Sequence, residues 1–522
     1  MAPTRKNHDM TEQTIPPSAP PEMFNLVEYC LSQNTLTRGD KTALTIVGEQ
    51  ETTCYTFSQA NHIVMSLSGV MRQYGQAGDR VLLRLPNTAM FAFGFLAAAA
   101  SGMIAIPASP QLTTDELAFL LEDTQARLLC TTQHMSLPTS LPEDCHTLDL
   151  SQWPEQAELY PPAEIVKTMA SQPAYMVYTS GTTGQPKGVL HAHRSVWGRR
   201  PMRDGWTDLR EDDVMLHAGQ LNWTYTMGVG LLDPWSVGAS SILYNGPKDP
   251  KVWPHLIQQH NVTMFAAVPS VYRQLLKYNE SLQESLASLR HGLTAGEALS
   301  PTLLSTWKER TGTMLYEALG MSECSTYISS SPSIPVRPGS PGRPQRGRTI
   351  TILPQEGGTT PLPQGEIGCL AIHRTDPGLM VGYWKRPEEE KLVFRGEWFV
   401  GGDLAHLDED GYIWFHGRND ELMNAFGYRV SPREVEKALE THPDVREVAV
   451  TEIHVREDVS VITAFIVPHG DTHLERIVLQ EWAQKTLATY KCPREYVFVM
   501  SLPRTTSGKV KRRTLQTLWD AS

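Results

Sequence analysis

Between Asp79 and Thr131 the chain alternates apolar runs of strand length with longer helical ones, and this rhythm narrows the fold more than any other feature. Asp79–Leu85, Met103–Pro107 and Ala126–Thr131 read as buried strands. Thr88–Ser101 is an Ala-rich buried helix, and Thr113–Thr124 is a helix with Asp115 and Glu116 in its first turn, where the helix dipole favours acids. Strands separated by whole helices run parallel, because a parallel return needs a crossover and a hairpin does not. Phe24–Asn34 reads as an amphipathic helix, and Lys41–Val47 and Thr52–Thr56 as strands. A helix then opens at Thr56-Phe-Ser-Gln59 with Ser58 as its N-cap, and Val262–Val268 precedes a helix starting at Pro269. The expected architecture is a large α/β domain built of βαβ units.

Set into that framework are several polar turns. The apolar segment Ala174–Tyr178 exits into Thr179-Ser-Gly-Thr-Thr-Gly-Gln-Pro-Lys-Gly188. Gly181, Gly184 and Gly188 permit sharp turns and close backbone approach. The hydroxyls of Thr179, Ser180, Thr182 and Thr183 and the cation of Lys187 suit phosphate oxygens, and the backbone N–H groups of such a loop form an anion nest. By composition alone a flexible connector fits as well. A Walker loop is excluded, because no Gly-Lys-[Ser/Thr] follows a four-residue gap.

Leu293-Thr-Ala-Gly-Glu-Ala-Leu-Ser-Pro301 is a strand-to-helix turn in which Glu297 sits where a helix cap is expected. Thr313–Tyr316 reads as a short strand leading into Glu317-Ala-Leu-Gly-Met-Ser-Glu323. Asp403 follows two glycines, a turn signal, and Gly411–Arg418 comes after it. Leu221–Val229 places Trp223, Tyr225 and Met227 at alternate positions, which suits a packed aromatic face or a ligand wall equally. Pro503-Arg-Thr-Thr-Ser-Gly-Lys509 opens a basic C-terminal stretch.

The order of these segments resembles the acyl- and aryl-CoA synthetases, peptide-synthetase adenylation domains and luciferases that form adenylates through an AMP-binding signature. The likeness runs from about Phe24 to Leu515, with a flavour nearest the benzoate-type CoA ligases in Pro338-Gly-Ser-Pro-Gly-Arg-Pro344. The resemblance implies a two-step, AMP-forming acid–thiol ligase using ATP, Mg²⁺ and coenzyme A. It implies that Thr179, Ser180, Gly181, Thr182, Thr183, Gly184 and Lys187 hold phosphates, and that Gly296, Glu297 and Ala298 meet the adenine. Glu317 would accept from the adenine amino group, Ser322 would neighbour a phosphate and Glu323 would bind the metal. Asp403 and Arg418 would take the ribose, Lys509 would be the catalytic lysine, Asp420 the hinge and Gly427 the floor of the thiol tunnel. Trp223 is the candidate aromatic gate of the acyl pocket. Leu319 departs from the pattern, standing where an aromatic residue usually stacks on the adenine.

At 522 residues more than one domain is expected. A polar, Pro-rich disordered lead spans 1–22, the AMP-binding domain 23–419, and a small mobile α+β domain carrying Lys509 spans 420–522. Within the last, Met423–Val430 reads as a hairpin, Ser431-Pro-Arg-Glu434 as a capping box, Val445–Val455 and Val459–Pro468 as strands, and Leu474–Leu487 as a helix. A net charge of −11 argues against a nucleic-acid partner, and no apolar run suits a membrane span. Seven scattered cysteines without metal spacing point to reduced thiols in the cytoplasm. The expected acid is small or aromatic and the expected acceptor is coenzyme A, the alternative being a separate carrier protein. An amino acid substrate is disfavoured, because the region after Leu221 lacks the Phe-Asp pair that binds an α-amino group in the resembled family.

Overall fold

The computed structural model describes residues 19–180, 186–247, 249–297, 299–418, 423–425, 428–430, 432–456, 459–470, 474–503, 510 and 512–520. The sequence-predicted alternation is realised in two large sheets. In the first, of seven strands, Ile104–Ala108, Arg80–Arg84, Leu128–Thr131 and His146–Asp149 run parallel in that order. Pro173–Ser180 extends it in parallel beside Ile104–Ala108. The second sheet has nine strands, with a parallel centre of Leu315–Met321, His291–Ala295, Met264–Ala267, Val214–His217, Ser240–Tyr244 and Thr42–Val47. Antiparallel strands close both edges. The helix Ala89–Ala100 is buried along its whole length, as its alanine content demands. It belongs to a core that joins Phe57, Phe91, Phe93, Phe95 and Trp235.

A five-stranded antiparallel sheet follows, in which Trp398–Leu407 pairs with Gly368–His373 and with Ile413–Arg418. The C-terminal unit carries the hairpin strands Met423–Ala425 and Tyr428–Val430, and a sheet of Val445–Arg456, Val459–Pro468 and Glu495–Phe498. The helices Pro432–Glu440 and Arg476–Thr486 cover one face of that sheet through Val435, Leu439, Leu479 and Ala483. Leu502, Val510 and Leu515 pack on Ala449, Ile453 and Phe465, a separate core built from the alternate positions of the same strands.

Three local expectations are revised. Thr56, not Ser58, caps the helix Phe57–Met71: it exchanges hydrogen bonds with Gln59 in a complete capping box. In Leu221–Val229, whose backbone the sequence reading left open, Thr224–Met227 forms a helical turn that continues to Leu232. Asp403 lies within the strand Trp398–Leu407 rather than on a turn; Gly402 adopts φ +85° and the register shifts just beyond it, so the glycines mark a bulge. Glu317 to Met321 likewise belong to the strand Leu315–Met321 and do not follow it.

Near Ile350 a buried ion pair ties the antiparallel sheet to the large core. Arg348 donates to both carboxylate oxygens of Asp376 at 2.8 Å and to the Gly198 carbonyl at 2.7 Å.

Candidate active site

A cavity of about 960 Å³ opens where the strand ends converge, and Thr179, Trp223, Gly296, Ser322, Asp403 and Tyr428 all line it. The parallel strands reach it at their C-terminal ends, the usual place for ligands in open α/β sheets.

The glycine-rich segment joins two antiparallel strands, Pro173–Ser180 and Pro186–Ala192, with Thr179 opposite Lys187. Gly181, Thr182, Thr183 and Gly184 lie outside the described residues. The base of this hairpin is braced through Asp123, whose carboxylate accepts from the Tyr178 hydroxyl and from Arg386 at 2.8 Å, and whose carbonyl accepts from the Trp384 indole N–H at 3.0 Å. The Lys187 ammonium lies 3.7 Å from the centre of the Tyr383 ring and 3.7 Å from the Glu389 carboxylate. Tyr383 in turn donates its hydroxyl to Glu323 at 2.8 Å. One phenol therefore separates the candidate phosphate cation from the candidate metal carboxylate, and Lys187 already faces an anion.

His191, on the second hairpin strand, fixes the neighbouring backbone. Its Nε2–H donates to the Ser322 carbonyl at 2.8 Å, and its ring stacks on Tyr175 with centroids 4.8 Å apart. Burial pulls the imidazole down to about 4, so it is neutral at physiological pH. Neither His191 nor Tyr383 stood out in the sequence, since neither lies in a glycine-rich or acidic motif.

On the opposite wall Gly296 has φ +90°, and a Cβ there would stand 3.1 Å from the Trp223 ring. Only glycine fits that turn without strain. Glu297 does not cap the helix that follows it; Ser300 caps Pro301–Thr311 instead. The Glu297 carboxylate accepts from the N–H and hydroxyl of Ser270, in the first turn of Pro269–Tyr278, and lies 3.5 Å from Arg273. Ala298 is outside the described residues.

Glu317 is buried and accepts from the Leu299 N–H at 3.0 Å. Burial pushes its carboxyl up to about 7, against the pull of that hydrogen bond. Below pH 4.5 both folded and unfolded chains carry this proton; between 4.5 and 7 only the folded chain keeps it. The native advantage is therefore lost as pH rises through 7. Glu317→Gln removes the titration, so its melting temperature should rise relative to wild type between pH 5 and 8, by the equivalent of up to about 3 kcal/mol. His191 and His217, the latter pulled down to about 3 by burial, act with the opposite sign and cancel in the difference. An unchanged difference between the two melting curves would remove Glu317 from this role.

Asp403 is buried and lines the cavity, and its Cα partner across the sheet is Arg418. The register thus brings together the residues expected at the ribose. On the C-terminal side, Tyr428 stacks on Trp223 with ring centres 6.0 Å apart, and its strand lies beside Pro173–Ser180. Asp420, Gly427 and Lys509 lie outside the described residues.

Residues 31–384 match the family model described as AMP-binding enzyme, and residues 434–509 match the AMP-binding enzyme C-terminal domain. The chain belongs to the AMP-binding enzyme family. It is 30% identical to the mitochondrial acyl-coenzyme A synthetase ACSM3 of Rattus norvegicus, over 95% of this chain and 90% of that one. Among solved structures, an anthranilate CoA ligase in complex with anthranoyl-AMP is 28% identical with a TM-score of 0.70, covering 96% of this chain and 99% of the other. A benzoate CoA ligase from Burkholderia xenovorans LB400 is 26% identical with a TM-score of 0.69, covering 94% and 100%. The large α/β domain with a smaller C-terminal domain is the shared architecture. No helix among the described residues is long and apolar enough to cross a membrane.

Proposed function

We infer that this chain is an AMP-forming acyl-CoA ligase that activates a small or aromatic carboxylic acid with MgATP and passes the acyl group to coenzyme A. The observation that carries the reading is the convergence of Thr179, Ser322 and Asp403 with Tyr428 of the C-terminal unit on one cavity. A nucleotide can be held from one side while a thiol is admitted from the other. The 30% identical acyl-coenzyme A synthetase and the aryl-acid ligases of like fold support the acid and the acceptor.

In the first half-reaction a carboxylate oxygen bonds to the α-phosphorus and pyrophosphate leaves. In the second the thiolate bonds to the acyl carbon and AMP leaves. Both need position and positive charge more than a side-chain nucleophile. Lys187, with the segment from Thr179 to Gly184, takes the β- and γ-phosphates, exchanging the Glu389 anion for phosphate oxygens. Asp403 and Arg418 take the ribose hydroxyls, Gly296 to Ala298 and Glu317 the adenine, and Lys509 bridges the carboxylate and the α-phosphate. A single carboxylate and nearby hydroxyls are a hard donor set that fits Mg²⁺ arriving on nucleotide phosphates. Glu323, held by Tyr383, would bind that ion, which neutralises phosphate charge. Trp223, packed on the Gly296 turn, gates the acyl pocket. The hinge at Asp420 separates the domains at 23–419 and 420–522. Seven free cysteines suit a cytoplasmic setting.

The test is pyrophosphate exchange and AMP release across a panel of carboxylic acids, with and without coenzyme A. Exchange with at least one small or aromatic acid and coenzyme A-dependent AMP release are expected. No exchange with any acid would sink the reading; AMP release that needs a carrier protein instead of coenzyme A would move the acceptor. A second expectation concerns the metal. Glu323→Gln keeps an oxygen for the Tyr383 hydroxyl, so the fold is preserved while the charge is lost. The Mg²⁺ concentration for half-maximal turnover should rise about tenfold. An unaltered Mg²⁺ titration would make Glu323 a bystander.

A further inference from the structure

The contact between the two units centres on a lysine removed from solvent. Lys491 is buried, with its ammonium 3.0 Å from Glu116 of the large domain and 2.8 Å from Glu434 of the C-terminal unit. The Ala488 N–H donates to the same Glu116 oxygen at 3.2 Å. Glu116 is itself held rigid. Its other oxygen accepts from the Thr113 N–H at 3.0 Å in the capping box of Thr114–Thr124. The box sets the carboxylate, leaving one oxygen aimed across the boundary. Burial alone would disfavour the ammonium, but Tyr490 and the two carboxylates outweigh it and hold Lys491 above the usual lysine range.

A second contact lies beside the first. Tyr490, next to Lys491, stacks on Tyr428 at 4.1 Å, and Tyr428 stacks on Trp223 of the large domain. The ion cluster and the aromatic ladder therefore hold one orientation, the one that turns Tyr428 toward the cavity. Buried ion pairs contribute little net stability against apolar packing, yet breaking one is costly. Such a pair suits a device that selects between orientations.

We propose that Glu116 and Lys491 are positioning residues for the thiol half-reaction: with Glu434 they form an ionic clasp that holds the C-terminal unit where Tyr428 faces the cavity. The proposal rests on the two-step reading above. In it the clasp opens for adenylation and closes for acyl transfer to the thiol. Glu116→Gln is the discriminating variant, because glutamine still serves the capping box and removes only the charge.

The test uses the full chain and has two independent readouts. In the unliganded enzyme, hydrogen exchange of a peptide covering 487–494 should quicken severalfold in Glu116→Gln and in Lys491→Met, with peptides from Val459–Pro468 unchanged. With the acid from the panel that supports the fastest pyrophosphate exchange, adenylation should stay within about twofold of wild type. Acyl transfer to coenzyme A should fall roughly tenfold or more. Lys491→Arg keeps a cation for both carboxylates and should recover most of the transfer rate. Equal loss of both half-reactions, loss of neither, or unaltered exchange at 487–494 overturns the clasp. A wild-type enzyme silent toward every acid would overturn the two-step reading instead, while hydrogen exchange would still decide whether the clasp exists.

Discussion

Lys509→Ala is expected to slow acyl-AMP formation roughly 10²–10³-fold while leaving thiol attack on supplied acyl-AMP close to wild type. The argument is electrostatic. As the acid oxygen approaches the α-phosphorus, negative charge builds on the phosphate, and a single well-placed cation in a dry cavity is worth a few kcal/mol to that transition state. In the proposed reading Lys187, opposite Thr179 at the hairpin base, serves the far phosphates. Lys509, in Pro503-Arg-Thr-Thr-Ser-Gly-Lys509, is the cation left for the α-phosphate in this reading. Pyrophosphate exchange reads the first step, and coenzyme A-dependent AMP release from synthetic acyl-AMP reads the second. Normal exchange in the variant would take Lys509 out of the chemistry.

What was legible in the sequence was the part written locally. Strand and helix periods are set by neighbours a few residues apart, and the parallel sheets, the buried Ala89–Ala100 helix and the Met423–Val430 hairpin all followed from them. The acidic first turn of Thr114–Thr124, with Asp115 and Glu116, is likewise local. The candidate site is a different kind of object. Glu297 looked like a cap for its own helix, and it binds Ser270 of another one, a partner 27 positions away. Tyr383 meets Glu323 from 60 positions away. Asp403 looked like a turn residue because two glycines precede it; the bulge that those glycines make is what sheet pairing does with them. Trp223, Tyr225 and Met227 alternate like a strand, yet the segment curls into a helical turn, with Tyr225 buried and its hydroxyl donated to the Leu293 carbonyl. A short aromatic run carries too little period to separate the two, and burial decides. The glycine-rich, Glu323 and Asp403 motifs were recognisable by order, while the braces that hold them, Asp123, His191 and Tyr383, carry no local signature.

The strongest separation of the two half-reactions should come from a pair of substitutions at Gly427 and Asp420. The geometry of the C-terminal unit sets up a conflict. Tyr428, Tyr490 and Lys491 face the large domain in the present orientation. Leu502 and Val510, which bracket the Lys509 motif, pack in the separate core on Ala449 and Phe465. The helices of the unit pack in the other core, with Val430, Cys492 and Tyr496. A rigid unit cannot turn both sets of residues toward one cavity, so the proposed two-step reading has it rotate between steps, as domains do in many enzymes. Asp420, just past the strand Ile413–Arg418 in sequence, is the proposed hinge, the position whose torsions would change in that rotation. Proline there fixes φ near −65° and removes an N–H, so Asp420→Pro should trap one orientation and lose one half-reaction. The adenylating orientation is the expected trap, with thiol transfer lost. Gly427→Leu acts without a trap. In the proposed reading Gly427 floors the thiol path, and a leucine there would fill that path and leave the nucleotide wall untouched; the neighbouring Tyr428 lies against Trp223. Adenylation in Gly427→Leu should remain within a few-fold of wild type, while transfer to coenzyme A falls by about two orders of magnitude, the scale of a reacting group displaced by an ångström. Single-turnover measurements of each step decide it: if both variants slow the two steps equally, the C-terminal unit does not rotate.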